Sequence, residues 1–391
     1  MNDGTPCPVS ARKIPCRHRV RSDDRICNMT ATARGIVGGL LGCLLAACVT
    51  TTAPPEVSSV EVQQEAVIQE QLVRRSSGVA ADTQRFSRGH AAASLRANSI
   101  HRRLMQANVD SCSRQTTDIG ALVANRSGFG FRLNSTDPTY NPSWNRLYPT
   151  DEYMRVIEVQ AMAPAAWAGL RKGDIITHIN SIPLGTDRYA NATYRREIQG
   201  TDRKSLRIWR NGSEQQIDLY PETICDMPLI ILNEDTKNAF ADGQHIYLYA
   251  GLEDALEDDT QLAIIIGHEM AHNTLGHIDS TIALSALGGL IASAFDPSFK
   301  ELGQDLGAIA FSQEFESEAD YVGVYFAARA GFDVSQAADL WRRMALINPA
   351  AIHVPSLTHP STAKRYNTIR KTSQEIQMKR NLGLPLRYEL R

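Results

Sequence analysis

The sequence predicts an α+β protein in which a mostly helical region is interrupted by a separate domain rich in short strands. Strand-like segments lie within residues 118–222, at positions 129–133, 153–159, 174–179, 205–210 and 215–220. Helical patterns lie on both sides of this domain, at residues 91–109, 336–344 and 361–376. Two further β-prone segments, 228–232 and 245–249, predict a small sheet within the helical region.

Length and composition are those of a globular protein with room for two hydrophobic cores. The chain has 391 residues, of which 43% are hydrophobic and 21% are charged. Its formal net charge is −2, and no basic stripe interleaved with aromatic residues occurs. We therefore expect no nucleic-acid partner.

The first part of the chain has the pattern of a leader. From Met29, a positively charged start leads into the short apolar run 35–47, which ends in Leu-Ala-Ala before Cys48. This pattern resembles the lipobox of bacterial lipoprotein signals, and it implies that residues 1–47 are leader and signal peptide and that Cys48 is lipidated. Residues 1–28 carry several arginines and cysteines without periodicity, so an overlong gene start is the alternative for them.

A lipid anchor is favoured over a membrane-spanning helix at this position. The apolar run has about thirteen residues, fewer than the roughly 20 that a helix needs to cross a bilayer. Val49, and not Asp, follows the lipidated cysteine, and by resemblance to lipoprotein signals this implies sorting to the outer membrane. We expect a periplasm-facing protein held by its N-terminal lipid at the inner leaflet of the outer membrane.

Two segments separate this anchor from the strand-rich domain. Residues 48–85 are rich in Thr, Ser, Pro, Gln and Glu, and they predict a flexible tether in which some helix can form at residues 61–73. Residues 86–117 contain the helical pattern of residues 91–109, and we assign them to the helical domain.

The motif H-E-x-x-H at residues 268–272 is the strongest chemical signal in the chain, and it follows an apolar run. On a helix, His268 and His272 project from the same face and can bind one metal ion, while Glu269 is placed to reach a water on that ion. The motif is short, and a buried helix with two hydrogen-bonded histidines is the alternative. His277, five residues past His272, lies off the metal face, which favours a helix cap or an outer position over ligation.

An acidic cluster further along supplies a candidate third ligand. Glu316 and Asp320 lie four residues apart at the start of an apolar helical stretch, so one carboxylate can bind a metal while the other orients a ligand histidine. The alternative is a helix start whose acids complement the helix dipole.

These motifs together resemble a known family. H-E-x-x-H is followed by E-x-x-x-D at residues 316–320, with Asn-Ala-Phe-Ala at 238–241 upstream and His359-Pro360 and Arg365 downstream. This order is similar to that of the zinc metallopeptidases that include the membrane protease HtpX, the periplasmic lipoprotein LoiP and the CAAX prenyl endopeptidase. The resemblance covers residues 223–370, and we assign residues 223–391 to this peptidase domain.

The resemblance implies a zincin-type fold, one Zn²⁺ per chain and a role for each motif residue. The zinc ligands fall on His268, His272 and Glu316, and the general base on Glu269. By the same resemblance, Asp320 and Arg365 do not bind the metal but contact its ligands and orient them. It also implies that residues 245–249 form an edge strand beside the zinc helix, with which an extended substrate can pair.

His359 is assigned to the active site by the same resemblance. It precedes a proline, which favours an extended backbone and places the imidazole on a loop. The resemblance implies that this side chain borders the zinc and either gates the site or stabilises the oxyanion. By composition alone, a loop histidine that caps the next helix is the alternative.

The strand-rich domain, residues 118–222, resembles a PDZ domain in two places. Gly128, Phe129, Gly130 and Phe131 match the loop that binds a peptide carboxylate through backbone N–H groups. Residues 165–174, with the sequence AAWAGLRKGD, match the helix and turn that precede a core strand in bacterial PDZ domains. This likeness implies binding of peptide C-termini or extended segments, and a spacer that binds nothing is the alternative.

Cys112 and Cys225 are predicted to form a disulfide. They bracket the strand-rich domain, and the two ends of an inserted domain usually lie close together. An exported chain seldom keeps two free thiols. Two unrelated thiols are the alternative.

The function that follows from the resemblance is that of a zinc metalloendopeptidase acting on unfolded or misassembled polypeptides of the bacterial envelope. Two alternatives come from other classes. One is a chaperone or assembly factor of the same fold that seldom cleaves. The other is a PDZ-led scaffold with a structural metal, which a three-ligand site argues against because structural zinc has four protein ligands.

Overall fold

The computed structural model describes residues 52–76, 90–125, 152–187, 189–232, 234–256, 258–282, 312–353 and 361–389. It confirms the α+β class. Its helices are α1 (Ser59–Ser76), α2 (His90–Ala107), α3 (Pro164–Trp167), α4 (Ala190–Glu197), α5 (Ala250–Ala255), α6 (Asp259–Thr274), α7 (Gln313–Arg329), α8 (Asp339–Ile347) and α9 (Thr362–Asn381). Its strands are β1 (Gln115–Asp118), β2 (Ala121–Ala124), β3 (Arg155–Val159), β4 (Ile175–Ile179), β5 (Ile182–Pro183), β6 (Lys204–Arg210), β7 (Ser213–Leu219), β8 (Glu222–Cys225), β9 (Leu229–Leu232), β10 (Ala239–Ala241) and β11 (Ile246–Tyr249).

The strand-rich domain is built on an antiparallel sheet with the order β2-β3-β4-β6-β7, and β5 pairs with β4. Alternation along β6 buries Leu206 and Ile208 in its core. Asn211 and Gly212 connect β6 to β7 with φ angles of 50° and 79°, as a two-residue hairpin that follows the twist of the strands requires. The glycine-rich loop predicted at residues 128–131 lies outside the described residues.

The helical core is assembled from segments on both sides of the strand-rich domain. Leu104 of α2 is fully buried in one cluster with Leu262 of α6 and with Tyr321 and Phe326 of α7. Helix α2 therefore belongs to this core although the whole strand-rich domain follows it in the chain.

The two chain segments that connect the inserted domain to the helical core lie side by side. β1 pairs antiparallel with β8, and Cys112 forms a disulfide with Cys225 at a Cα separation of 5.6 Å. Beside this pairing, Arg102 of α2 forms ion pairs with Asp118 and Glu222, one from each strand. The chain thus leaves and re-enters the helical core at one place.

The small sheet has the order β10-β11-β9, with β11 antiparallel to β10 and parallel to β9. The prediction that residues 245–249 form the edge strand is wrong, because β11 is the central strand. The segment Ala239–Ala241, which by sequence separates two strands, is itself a short strand that pairs with β11 across a turn at Asp242 and Gly243. The edge strand of this sheet that packs on α6 is β10.

Helices α6 and α7 cross at a pair of glycines. A Cβ atom on Gly267 would meet the backbone oxygen of Gly323 at 2.7 Å, and a Cβ on Gly323 would meet the backbone nitrogen of His268 at 2.7 Å. Side chains larger than hydrogen would force the two backbones apart at this point. The close approach brings the H-E-x-x-H motif next to the E-x-x-x-D motif.

The amino-terminal segment is not a free tether over its described length, so that prediction is wrong for residues 59–76. Helix α1 covers the helix expected at residues 61–73 and packs on α8 and α9. Glu65, buried at 4% exposure, accepts two hydrogen bonds from Arg342 at 2.8 and 2.9 Å. Composition indicated disorder because α1 is polar, but its polar groups are used in contacts with distant helices.

Within the described ranges, no helix combines the length and the apolar character that crossing a membrane requires.

Candidate metal centre

Helix α6 carries three of the predicted site residues into the core. The side chain of Asp258 caps its first turn by accepting a hydrogen bond from the backbone of Thr260 at 2.6 Å. The preceding helix, α5, ends at Ala255, and α6 begins anew at Asp259 after this cap. The apolar run that follows is buried, and it positions His268, Glu269 and His272 at 3%, 4% and 0% exposure.

The structure brings His268, His272 and Glu316 together as a triangle of donor atoms. The two Nε2 atoms lie 3.1 Å apart, and the Glu316 carboxylate oxygens lie 3.6 Å from Nε2 of His268 and 3.3 Å from Nε2 of His272. In a tetrahedral zinc site with bonds of roughly 2.0–2.1 Å, neighbouring ligand atoms are roughly 3.3 Å apart. The donor set therefore fits a zinc ion in both chemistry and spacing.

Burial sets the protonation states that ligation requires. It lowers the pKa of His268 and, to about 3, that of His272, so both rings are neutral at physiological pH and have a lone pair to donate. For Glu269, burial first and the negative charge of Glu316 second raise the pKa to about 8.

Nδ1 of His268, the ring nitrogen that would not bind the metal, contacts the predicted supporting residue Asp320. This nitrogen lies 3.0 Å from Oδ1 of Asp320. Arg365 donates to both oxygens of that carboxylate at 2.6 and 2.9 Å, and its guanidinium stacks 3.6 Å over the ring of Trp341. Burial alone would raise the pKa of Asp320, but the positive charge of Arg365 holds it below its usual value. This arrangement fixes the tautomer and orientation of the ligand ring.

The other ring nitrogen of His272, Nδ1, faces His277, for which the sequence favoured a cap or an outer position over ligation, and behind it Glu318, to which the sequence assigned no role. Nδ1 of His272 lies 3.0 Å from Nδ1 of His277, whose Nε2 lies 3.1 Å from Oε2 of Glu318. The sequence predicts that the helix ends near Gly276 and that His277 is a cap or takes an outer position, and the contact with His272 agrees with the outer position. In the structure, Gly276 turns with a φ of +68° and the chain restarts a helix, so the ring returns to His272.

A cavity of about 290 Å³ opens onto this centre. His268, Glu269 and Arg365 line one side of it, and Asn238 and Ala239 at the edge strand β10 line another. Apolar side chains of α8, including Trp341 and Met344, complete the lining. The general-base candidate Glu269 and the edge strand β10 therefore line the same cavity.

The model for peptidase family M48 matches residues 223–373, and the model for the PDZ domain matches residues 127–220. Residues 223–373 form an M48 peptidase domain. The family assigned from the motifs is thus confirmed, together with the PDZ resemblance of the inserted domain.

Curated relatives match over a little more than a third of this chain. The mitochondrial metalloendopeptidase OMA1 of Schizosaccharomyces pombe is 32% identical over 39% of this chain and 48% of its own length. Metalloprotease LoiP of Escherichia coli is 29% identical over 34% of this chain and 57% of its own length. The beta-barrel assembly-enhancing protease of Yersinia pestis is 25% identical over 38% of this chain and 34% of its own length. The chain spans little more than half, or less, of the length of each of these relatives.

Three groups of predicted site residues lie outside the described residues: His359, the predicted peptide-binding loop at 128–131, and the predicted lipidation site Cys48. Their roles stay predictions.

Proposed function

We propose that this protein is a zinc-dependent metalloendopeptidase that cleaves unfolded or misassembled polypeptides in the bacterial cell envelope. The observation that carries the proposal is the triangle of two histidines and one glutamate with Glu269 beside it, facing a cavity that also holds a strand edge. Three protein ligands leave a coordination position for water or substrate, as catalytic zinc sites do and structural sites do not.

His268, His272 and Glu316 would hold the zinc ion. When bound, zinc lowers the pKa of a coordinated water and polarises the carbonyl of the scissile peptide bond. Glu269 then takes a proton from the attacking water and delivers it to the leaving amine. Burial raises the pKa of Glu269 in the metal-free centre, and the positive charge of a bound zinc ion would lower it again, so that the carboxylate can accept the proton.

The edge strand β10 is the proposed binding site for the substrate backbone. β10 pairs with β11 on one side, and within the described residues no strand pairs with its other side. A substrate in extended form can add to this edge through main-chain hydrogen bonds, which depend little on its sequence. Unfolded chains offer such segments, whereas folded proteins do not.

The envelope location and the role of the inserted domain belong to the same proposal. They are supported by the lipoprotein-like signal before Cys48 and by the names of the bacterial relatives, a metalloprotease and a beta-barrel assembly-enhancing protease. The PDZ domain would select clients by their C-termini or extended segments, and the lipid on Cys48 would hold the enzyme at the outer membrane.

The test is casein cleavage and zinc content of the mature protein, of two site variants and of one control variant. Glu269→Gln should lose at least about a thousandfold in cleavage rate and keep its zinc, because this side chain acts on the water and is not a ligand. Glu316→Ala should lose both zinc and cleavage. Glu314→Gln, an exposed acid on the same helix, is the matched control and should change neither.

Wild-type cleavage rates in Glu269→Gln would overturn the proposed chemistry. Zinc bound with no cleavage by the wild type would favour the chaperone or scaffold alternatives.

A further inference from the structure

A row of hydrogen-bonding groups connects the ligand ring of His272 to the amino-terminal segment of the chain. Nδ1 of His272 lies 3.0 Å from Nδ1 of His277, and Nε2 of His277 lies 3.1 Å from Oε2 of Glu318. The other oxygen of Glu318 accepts a hydrogen bond from the backbone N–H of Thr52 at 2.9 Å. All four residues are buried, with exposures of 6% or less.

If His272 binds the metal, the protons on the two histidine rings of this row can be placed in only one way. An imidazole that binds a metal through Nε2 carries its proton on Nδ1. His272 must therefore donate to Nδ1 of His277, and the proton of His277 then lies on Nε2, where it donates to Glu318. Glu318, which also accepts from Thr52, receives N–H groups at both of its oxygens. In the opposite order, the proton of His272 would occupy the nitrogen needed for the metal.

Helix geometry explains why an imidazole is placed between the carboxylate and the ligand. Glu318 is two residues beyond Glu316 on α7, so it leaves the helix in a different direction and does not face His272 directly. His277 bridges that gap. Its ring is stacked on Phe315 with centroids 4.3 Å apart and planes 8° apart, which fixes the plane of the bridging ring.

The last member of the row, Thr52, belongs to a segment that is firmly attached to the peptidase domain. The backbone N–H of the next residue, Ala53, donates to the carbonyl of Glu389 at 3.0 Å. Further along, Gln69 of α1 is fully buried and accepts a hydrogen bond from the hydroxyl of Thr362 at 2.7 Å. Thr362 lines the active-site cavity. Thr52, four residues after the predicted lipidation site, thus contacts Glu318 beside the metal centre, and α1 contacts Thr362, which lines the cavity.

We propose that His277 and Glu318 are positioning residues for the metal ligand His272, and that the backbone of Thr52 completes their hydrogen bonds. This inference rests on the proposed metal site. It makes the amino-terminal segment part of the catalytic domain, so that the seating of this segment contributes to metal affinity.

The first test measures zinc affinity by competition with a chelator, together with the melting temperature of the metal-free protein. His277→Phe keeps the ring stacked on Phe315 but removes the acceptor, and we expect a loss of about 10- to 100-fold in zinc affinity, as for other partners of metal ligands. His277→Asn places an amide oxygen close to the lost Nδ1 and should recover part of that loss. Glu318→Gln should weaken binding, whereas Glu314→Gln on the exposed face should not.

The second test isolates the backbone contact. Thr52→Pro removes the backbone N–H that donates a hydrogen bond to Glu318, whereas Thr52→Ala keeps this N–H. Only the proline variant should therefore bind zinc more weakly. The expected loss is smaller than for His277→Phe because Glu318 keeps its bond to His277.

Zinc affinity in His277→Phe equal to that of the wild type would overturn the inference. So would equal losses in the Phe and Asn variants together with equal falls in the melting temperature of the metal-free proteins, because that result indicates packing alone. A wild type that binds no zinc would instead overturn the proposed function itself.

Discussion

At the scale of single residues, burial acts in opposite directions on the pKa of bases and acids, and the metal centre uses both effects. Loss of hydration disfavours the charged form of any group, so the buried rings of His268 and His272 stay neutral and can ligate, while Glu269 binds its proton more strongly. A divalent cation beside Glu269 opposes the second effect by its positive charge. The working pKa of Glu269 therefore depends on the metal.

A histidine outside the candidate metal centre gives a prediction for the pH dependence of stability. His101 of α2 lies with Nε2 2.7 Å from the carbonyl of Met227, and burial lowers its pKa to about 4. A base whose pKa is lower in the folded state contributes stability that is present above its unfolded pKa of about 6.5 and is lost as pH falls through about 4. Gln at this position keeps an N–H donor but does not titrate.

We therefore expect the melting temperature of the wild type to fall faster than that of His101→Gln between about pH 6.5 and pH 4. The measurement is a series of thermal melts of both proteins at matched ionic strength. Parallel curves across this range would contradict the assigned pKa.

At the scale of elements, the metal centre depends on how closely α6 and α7 approach. One helix supplies the two histidines and the other supplies Glu316, so the separation of the donors is set by the backbone contact at Gly267 and Gly323. Helix propensity alone disfavours glycine at both positions. The structural reason for the glycines is the contact, because either Cβ would lie 2.7 Å from a backbone atom.

The variant Gly323→Ala tests this dependence. The added methyl group must push α7 away from the backbone of His268, and we expect a loss of more than about tenfold in zinc affinity and a destabilisation of about 1–3 kcal/mol. Gly251→Ala is the matched control, because its Cβ would meet the backbone of Asp235 at 2.4 Å, away from the donor atoms.

Both variants should melt at lower temperature, but only Gly323→Ala should bind zinc more weakly. Unchanged zinc affinity in Gly323→Ala would show that the helices can separate without moving the donors. Chelator competition and thermal melts of the two variants provide the comparison.

At the scale of the whole molecule, an entire domain is inserted into the helical core through one narrow connection. The pairing of β1 with β8, the ion pairs of Arg102 and the disulfide between Cys112 and Cys225 all lie at this connection. The helical core needs α2, which lies on the far side of the insertion. The connection therefore joins two parts of one core.

Loss of the disulfide should destabilise the helical core. The bond closes a loop with a sequence separation of 113 residues, and closing a loop of that size stabilises by roughly 4–5 kcal/mol in the chain-entropy model. The effect should be smaller if the inserted domain stays folded when the core unfolds, because it then holds its own ends together. Denaturant unfolding of the wild type with and without reductant measures the difference.

The double variant Cys112→Ala with Cys225→Ala provides the control for this measurement. It should match the reduced wild type and should not respond to reductant. Equal stabilities of the oxidised and reduced wild type would mean that strand pairing alone keeps α2 in the core.

Some features of this protein were determined by the sequence alone, because they depend on contacts between neighbours along the chain. The spacing of His268 and His272, the four-residue interval from Glu316 to Asp320 and the strand patterns after residue 152 of the inserted domain are local. The structure has helices and strands at these positions, whereas the predicted strand 129–133 lies outside the described residues. Even the polar helix at residues 61–73 could be anticipated.

Other features were decided only by tertiary structure, because they depend on which distant segment each element meets. A local pattern could not show that β11 has neighbours on both sides, that α1 packs on α8 and α9, or that Gly267 meets Gly323. The sequence favoured a cap or an outer position for His277, and only the structure shows that a turn at Gly276 brings its Nδ1 within 3.0 Å of Nδ1 of His272. Thr52 and Glu318 are 266 residues apart, and their hydrogen bond depends on folding of all that lies between them.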